Sequence, residues 1–332
     1  MTALIIFLIA VALAFAFLNG LHDAANSIAT IVSTRVLKPR YAVAWAAFFN
    51  FIAFVVFGPQ VANTIGTGIV SPAIVSDAVI LAALSSAIVW NVVTWVVGIP
   101  SSSSHALIGG LVGAGVCKAG WHVIVWNGLG KTAAAIVVSP LTGLLLALVM
   151  VLLVSWLFVR VSPFRADRIF RHVQFLSASA YSLGHGGNDA QKTMGVIAVL
   201  LFAHGLEGGH FHVPFWVVLA CQAAMGLGTL LGGWRIVRTM GSRITHLTPV
   251  QGVCAETAGA ITLFLATFAG IPVSTTHTIT GAIVGVGAAK KVSGVRWNVA
   301  KDIVVAWILT MPATGLIGAG LFLLVQAFGV AA

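Results

Sequence analysis

The segment GIPSSSSH at residues 98–105 recurs as GIPVSTTH at residues 270–277, and every position is shifted by the same 172 residues. The correspondence continues in the glycines and the proline-containing segments that follow each copy. Motifs that repeat at a fixed offset indicate an internal duplication. The sequence therefore predicts two related halves, residues 1–160 and 172–332, joined by a basic linker at 161–171 that we expect to be cytoplasmic.

The composition restricts the class of protein. Of the 332 residues, 59% are hydrophobic and 7% are charged, whereas soluble domains are about one quarter charged. Disordered chains are excluded as well, because they are poor in apolar residues. Several runs without Asp, Glu, Lys or Arg exceed the roughly 20 residues that a helix needs to span a bilayer; among them are 41–76, 78–117, 257–289 and 303–332. We predict an all-α polytopic membrane protein, located in a bacterial or archaeal inner membrane.

The 17 Lys and Arg residues are placed as in membrane proteins. They gather in short clusters between apolar runs, which is typical of cytoplasmic loops and does not predict a nucleic-acid partner. Residues 35–40 contain three basic residues and the corresponding loop 203–213 contains none, whereas 63–76 contains none and 235–246 contains three. Corresponding loops are thus expected on opposite sides of the membrane, as in the inverted repeats of secondary transporters.

The number of crossings follows from the apolar segments of the first half. Crossings are expected near 3–30, 41–63 and 75–97, and residues 119–160 are long enough for two short crossings broken near Pro140. We therefore expect about five transmembrane helices in each half. An odd number of crossings is what opposed orientation of the halves requires. The alternative is a single kinked helix over 132–159, which would make four crossings and remove the opposed orientation.

Three carboxylates, those of Asp23, Asp189 and Glu256, lie inside apolar stretches. Because a charged group at mid-membrane costs about 2.5–3.5 kcal/mol on insertion scales, such residues usually face a partner or a cavity and serve function. Asn26 follows Asp23 by three positions and Lys192 follows Asp189 by three, so each pair shares a helix face. These residues are candidates for binding a substrate or a coupling ion; a purely structural hydrogen bond is the alternative.

Glycines and histidines accompany the two aspartates. Gly20, Gly184, Gly186 and Gly187 flank the motifs and are expected to let the helices break and expose carbonyls as cation ligands, which membranes tolerate around a cavity. His22 and His185 adjoin the motifs and are candidates for titration at physiological pH.

The repeated hydroxyl segments, residues 101–104 and 274–276, follow Gly-Ile-Pro. Proline in a first turn and Ser or Thr as caps predict a helix start, and a helix N-terminus lined by hydroxyls is suited to an anion. The alternative is that these residues, with Gly109/Gly113 and Gly281/Gly285, only pack helices together.

Together these motifs resemble the PiT family of inorganic phosphate transporters. The resemblance lies in NGLHDAAN at 19–26, HGGND at 185–189, the two Gly-Ile-Pro segments and CAET at 254–257. It covers nearly the whole chain and is closest to the low-affinity bacterial type. It implies inverted repeats with two re-entrant helical hairpins, whose tips near 98–105 and 270–277 bind phosphate. It also implies symport with a cation, a homodimer in the lipid bilayer and no cofactor.

The resemblance also implies a set of ligands. Phosphate ligands would be Ser102, Ser103, Ser104, Ser274, Thr275 and Thr276, and Asp23, Asn26, Asn188 and Asp189 would share phosphate and cation coordination. The chain departs from the commonest family pattern in having His22 and Lys192 where asparagines usually stand. A fixed ammonium can replace one sodium ion, so proton coupling through Asp23, Asp189, Glu256 or His22 is favoured over Na⁺. Bacterial relatives with this Gln-Lys pattern resemble low-affinity, proton-coupled carriers that accept phosphate as a neutral complex with a divalent metal, so the resemblance also implies such a complex as cargo.

Two other functions are alternatives to phosphate import. A sulfate permease of the same superfamily would bind an anion of the same shape, but sulfate has no proton to donate to the two aspartates near neutral pH. An intramembrane hydrolase is disfavoured because the chain has no Gly-x-Ser-x-Gly motif. An enzyme would also have no need of two copies of each motif. We expect a transporter and not an enzyme.

Overall fold

The computed structural model describes residues 3–328; residues 1–2 and 329–332, the ends of the two predicted halves, lie outside the described residues. The described chain is helical, without a β-strand, which confirms the all-α prediction. The first half holds α1 (Ala3–Ser33), α2 (Pro39–Phe51), α3 (Gln60–Thr67), α4 (Asp77–Val97), α5 (Ser103–Ala119) and α6 (Trp126–Leu157). The second holds α7 (Pro163–Ala203), α8 (Phe215–Leu231), α9 (Trp234–Arg238), α10 (Pro249–Phe268), α11 (Thr275–Lys290) and α12 (Trp297–Ala327). Most of the predicted linker belongs to the first turns of α7.

Several helices are suited to cross a membrane. The helices α1, α4, α6, α10 and α12 are each long and apolar enough to do so. Two bent pairs raise the number to seven: α2 with its 3₁₀ extension meets α3 at 81°, and α8 meets the segment Trp234–Arg243 at 62°. The breaks lie at Gly58-Pro59 and at Gly232-Gly233. This is the architecture of a multi-pass membrane protein.

Each Gly-Ile-Pro segment is the turn of a helical hairpin. In the first hairpin α4 and α5 lie side by side, and the end of α5 returns to the start of α4, where Val70 pairs with Ile124. In the second, α10 and α11 pack together, and the Arg296 backbone N–H after α11 donates to Ile244 O ahead of α10 at 2.9 Å. Each hairpin therefore enters and leaves at the same end.

The prediction of two crossings within residues 119–160 is wrong, because α6 is one helix with Pro140 inside it. The proline removes one helical hydrogen bond, yet the turn around it is packed: a Cβ on Gly281 of α11 would lie only 2.1 Å from Pro140 O. Five crossings per half is therefore also wrong, since α4 is a hairpin arm. Besides the hairpin, the crossing segments of the first half are α1, the α2/α3 pair and α6. Three is an odd number, so the opposed orientation of the halves is consistent with this count and stays a prediction.

The predicted helix breaks at the motif glycines are also wrong. Both α1 and α7 run unbroken through their motifs. A Cβ on Gly20 would lie 2.1 Å from Met225 O, and one on Gly186 would lie 2.4 Å from Asn50 O. These glycines bring α8 and α2 into backbone contact with the motif helices. The bent pairs, and not the motif helices, contain the breaks.

The two halves exchange their hairpins. Helix α5 packs on α12 of the other half, and α11 packs on α6. Glycines allow the close approach, because a Cβ on Gly113 would lie 1.9 Å from Gly315 O and one on Gly285 would lie 2.6 Å from Leu144 O. The Gly-x-x-x-Gly pairs thus serve packing, and the hydroxyl segments that precede them are turned toward the centre of the molecule.

Candidate functional site

The hairpin tips present two helix starts at the centre of the molecule. Ser102 caps α5 by accepting from the His105 N–H at 3.2 Å, and Ser274 caps α11 by accepting from the His277 N–H at 3.2 Å. The tips touch each other, since Ser104 Oγ donates to Val273 O at 3.3 Å. Two helix N-termini, each with positive partial charge, therefore meet in one buried place.

Asp23 lies between the two tips. Ser103 Oγ of the first tip lies 2.5 Å from Asp23 Oδ2 and 2.7 Å from Asn19 Oδ1. Thr276 Oγ1 of the second tip donates to Asp23 Oδ1 at 3.3 Å. One carboxylate of α1 is thus bonded to a hydroxyl of each hairpin.

Asp189 makes the corresponding contacts from α7. Thr275 Oγ1 donates to Asp189 Oδ2 at 2.9 Å. Asn26 joins the two motifs, because its Nδ2 donates to Thr275 Oγ1 at 3.1 Å and to Thr276 Oγ1 at 3.0 Å. The second tip is therefore held by side chains of both α1 and α7.

Lys192 is buried with Asp189 and connects the tips. Its Nζ donates to Asp189 Oδ1 and Ser104 Oγ, and to Val273 O at 2.9 Å. Lys192 is 1% exposed, and the two aspartates are 2% exposed or less. A charge pays a large desolvation cost unless it is paired and hydrogen-bonded, and each bond of this ammonium goes to a predicted site residue or to a tip.

His22 and Asn188, at matching positions of the two motifs, hold the hairpin arms. His22 Nδ1 lies 2.8 Å from Asp23 Oδ1 and its Nε2 lies 3.0 Å from Thr94 Oγ1 of α4. Asn188 Nδ2 donates to Thr267 Oγ1 of α10 at 3.0 Å. His22 thus adds a titratable group beside Asp23 where the other half has an amide.

A cation could be held between the motifs. One ligand atom each from Asp23, His185 and Asp189 lie within 4.8 Å of one another. His185 Nε2 is 3.1 Å from Asp189 Oδ2, and its Nδ1 is 3.0 Å from Ser27 Oγ. Imidazole and carboxylate ligands suit divalent metals of the first transition row.

Glu256 lies in a separate cluster, away from the tip hydroxyls. Thr30 Oγ1 and Gln174 Nε2 donate to Oε1 at 2.5 and 2.9 Å, and Ser177 Oγ donates to Oε2 at 2.5 Å. At the repeat offsets the counterparts of these four residues are apolar: they are Leu84 for Glu256, Leu8 for Gln174, Val11 for Ser177 and Val196 for Thr30. The cluster therefore exists in one copy, unlike the duplicated tip motifs.

The structure brings together most of the residues singled out in the sequence. One hydrogen-bond network contains the two aspartates, Asn26, Lys192 and the tip residues 103, 104, 275 and 276. Ser102 and Ser274 instead act as helix caps. Asn19, Thr94 and Thr267 were not predicted. Asn19 could have been found from its position one helical turn before Asp23, but the threonines lie on hairpin arms and no local pattern marks them.

Comparison with known proteins gives consistent results. A model of the phosphate transporter family matches residues 19–318. A probable low-affinity inorganic phosphate transporter of Rhizobium meliloti is 72% identical over 316 residues, with 95% of each chain covered. A protein of the same name from Bacillus subtilis is 44% identical, again over 95% of each chain. Among solved structures, the sodium-dependent phosphate transporter has a TM-score of 0.89 at 26% identity and covers 98% of this chain and 100% of its own.

Proposed function

We propose, since the chain belongs to the phosphate transporter family, that it imports inorganic phosphate through the cell membrane by symport with a proton. The observation that carries the proposal is the contact of Asp23 with hydroxyls of both hairpin tips. Phosphate placed there would receive hydrogen bonds from the tip hydroxyls and from the free N–H groups of two helix starts.

Protonation favours phosphate over sulfate at this place. Near neutral pH phosphate keeps a proton and can donate it to a carboxylate, whereas sulfate carries none. Asp23 and Asp189 both border the tips, and sulfate beside them would place its oxygens against carboxylate oxygens with no proton between them. Two buried acceptors that face each other without a shared proton cost free energy, so we expect sulfate to be rejected.

Charge balance supports a proton as the coupling ion. Lys192 neutralises Asp189, with which it forms a buried ion pair. Asp23 is bonded to His22, which carries a charge only when protonated. One proton on the Asp23–His22 pair would therefore bring the formal charge of the central groups to zero before phosphate binds. The Glu256 cluster offers a second place for a coupling proton.

A divalent metal fits as cargo together with phosphate. The Asp23, His185 and Asp189 ligand atoms are close enough to hold one cation, and a metal there would compensate the charge of an adjacent phosphate. We include the neutral metal–phosphate complex among the proposed substrates. The homodimer and the opposed orientation of the halves also stay predictions; native mass spectrometry in detergent and labelling of loop cysteines from each side would test them.

The decisive experiment is uptake of radiolabelled phosphate into proteoliposomes, with the pH and Na⁺ gradients imposed separately. We expect uptake to follow an inward proton gradient and to be unchanged when Na⁺ is replaced by choline. Addition and chelation of Mn²⁺ and, separately, of Mg²⁺ in the same assay would test the metal complex. Strict Na⁺ dependence would overturn proton coupling, and equal uptake of labelled sulfate would overturn the preference for phosphate.

A further inference from the structure

Each hairpin tip begins with a glycine in the left-handed region. Gly98 has φ +78° and ends α4, and Gly270 has φ +67° and follows α10. This backbone conformation strains other residues, and it turns the glycine carbonyl out of the helical bonding pattern. Both carbonyls instead accept a hydrogen bond from outside their own helix, and in each case the donor is a threonine of the other half.

The two threonines lie on the bent helix pairs. Thr64 Oγ1, on α3, donates to Gly270 O at 2.7 Å. Thr239 Oγ1, in the first turn after α9, donates to Gly98 O at 3.0 Å. Each threonine follows the break in its own pair by a few residues and holds the tip that belongs to the opposite half. The accepting glycines correspond under the internal repeat, and the threonines lie at similar but not identical positions of the two bent pairs, 175 residues apart.

The surroundings of the two bonds differ. Val61 N–H and Ala62 N–H, at the start of α3, donate to Gln191 Oε1 at 2.8 and 3.2 Å. Gln191 precedes Lys192, so the α3 contact is tied directly to the second motif. On the other side the Arg235 guanidinium donates to Val96 O, which ties α9 to the end of α4.

Room for movement exists at the break before α3. A cavity of about 240 Å³ is bordered there by Phe57, Gly58 and Pro59, and by Gly187 and Gln191 of α7. The central aspartates are buried with both threonine bonds closed. Substrate can reach them only if part of this packing opens, and a short helix hinged beside a cavity is able to move.

We propose that Thr64–Gly270 and Thr239–Gly98 are the two latches of alternating access, and that each threonine is a positioning residue for the opposite tip. The basic segment around Arg235 predicts that the Thr239 latch faces the cytoplasm, and the uncharged segment after Thr64 predicts that the Thr64 latch faces outside. Import opens the Thr64 latch first and the Thr239 latch second. The proposal rests on the proposed transport function and on the predicted opposed orientation.

Spin-label distances test the latches without any assumption about the coupling ion. In a variant whose three cysteines are replaced by alanine and which retains phosphate uptake, one label pair is placed at Asn63 and Ala269 and another at Arg238 and Val97. Each position is exposed and adjoins a latch residue. Distances are measured by pulsed electron paramagnetic resonance in liposomes without phosphate.

Thr64→Val should increase the population of long distances for the first pair roughly two- to tenfold, the usual effect of one neutral hydrogen bond, and leave the second pair unchanged. Thr239→Val should increase the population of long distances for the second pair and leave the first pair unchanged. Thr64→Ser and Thr239→Ser keep the hydroxyl and should restore the native distances. Thr67→Val and Ser242→Ala remove hydroxyls that bond only within their own turns and should change neither pair.

Unchanged distances in both valine variants, or the same change in both label pairs, would overturn the latch proposal. A transporter that proves to be Na⁺-coupled or sulfate-selective would overturn the proposed function and leave these distances as expected. Uptake by the folded valine variants gives a second readout, since weakened latches should raise phosphate leak down its own gradient relative to proton-driven accumulation.

Discussion

Lys192 bonds Asp189 from one helical turn further along α7, and the pair is buried. The same ammonium bonds Ser104 of the first tip and Val273 of the second. The charge that balances the second aspartate is therefore part of the protein and also joins the two hairpins. The first aspartate has no such fixed partner, and this difference between the halves leads to the first prediction.

Replacing Lys192 with Asn should lower proton-driven phosphate uptake and introduce partial Na⁺ dependence. The variant leaves Asp189 buried without its cation, which typically costs about 3–5 kcal/mol, and a mobile Na⁺ can then compensate the carboxylate. Uptake in proteoliposomes with and without Na⁺ measures this. Lys131→Asn changes an exposed lysine and should behave like the native protein. Native uptake in the Lys192 variant would contradict the role given to the ammonium.

Asp23→Asn and Asp189→Asn should each abolish uptake, because each carboxylate accepts from a tip hydroxyl. Their stabilities should differ. Asp189→Asn strands the Lys192 charge and should destabilise the fold by about 3–5 kcal/mol, whereas Asp23→Asn removes no fixed ion pair. Uptake together with thermal unfolding in detergent separates the two effects, and Asp302→Asn at an exposed position serves as the control. Near-normal transport by either site variant would argue against a paired site.

Removing both hydroxyls of one tip should weaken phosphate binding several-fold to a hundredfold. The two double variants are Ser103→Ala with Ser104→Ala, and Thr275→Ala with Thr276→Ala. Each hydrogen bond to a charged group contributes about 1.5–3 kcal/mol, and the backbone N–H groups of the tips would remain as donors. Equilibrium binding of labelled phosphate to purified protein measures the change. Thr278→Ala removes a hydroxyl that bonds only to Ser274 O and should leave affinity unchanged. Native affinity in both double variants would indicate that the hydroxyls serve packing.

Glu256→Gln should separate coupling from substrate binding. The three donors around the carboxylate would face an amide that can accept through only one oxygen. If Glu256 carries a coupling proton, accumulation driven by a pH gradient should fall while exchange of internal for external phosphate persists. Glu207→Gln in the α7–α8 loop is the matched control. Equal loss of exchange and accumulation would instead assign Glu256 to the substrate site or to folding.

Much of this site could be predicted because it is duplicated. The two Gly-Ile-Pro segments and the two aspartate motifs are marked in the sequence by their offsets, and buried charge marks Asp23 and Asp189. The hairpin turns lie where the prolines and hydroxyls predicted them, since both are local features of a helix start.

The incorrect predictions concern features that depend on distant contacts. Pro140 does not divide α6, because α11 packs on the turn around it through Gly281. Gly20 does not break α1, because the space of its missing side chain is filled by the backbone of α8. The meaning of a glycine or proline in a membrane helix is set by what packs against it, and one sequence does not reveal that neighbour.

The exchange of hairpins between the halves has a consequence for synthesis of the chain. Helix α5 leaves the ribosome about half a chain before α12, the helix that covers Gly109 and Gly113. Throughout that interval the glycine-lined face of α5 is in the membrane without its final neighbour. The first half cannot reach its native packing alone, so a chain stopped at the joint between the halves should be a substrate for membrane quality control, however well it inserts.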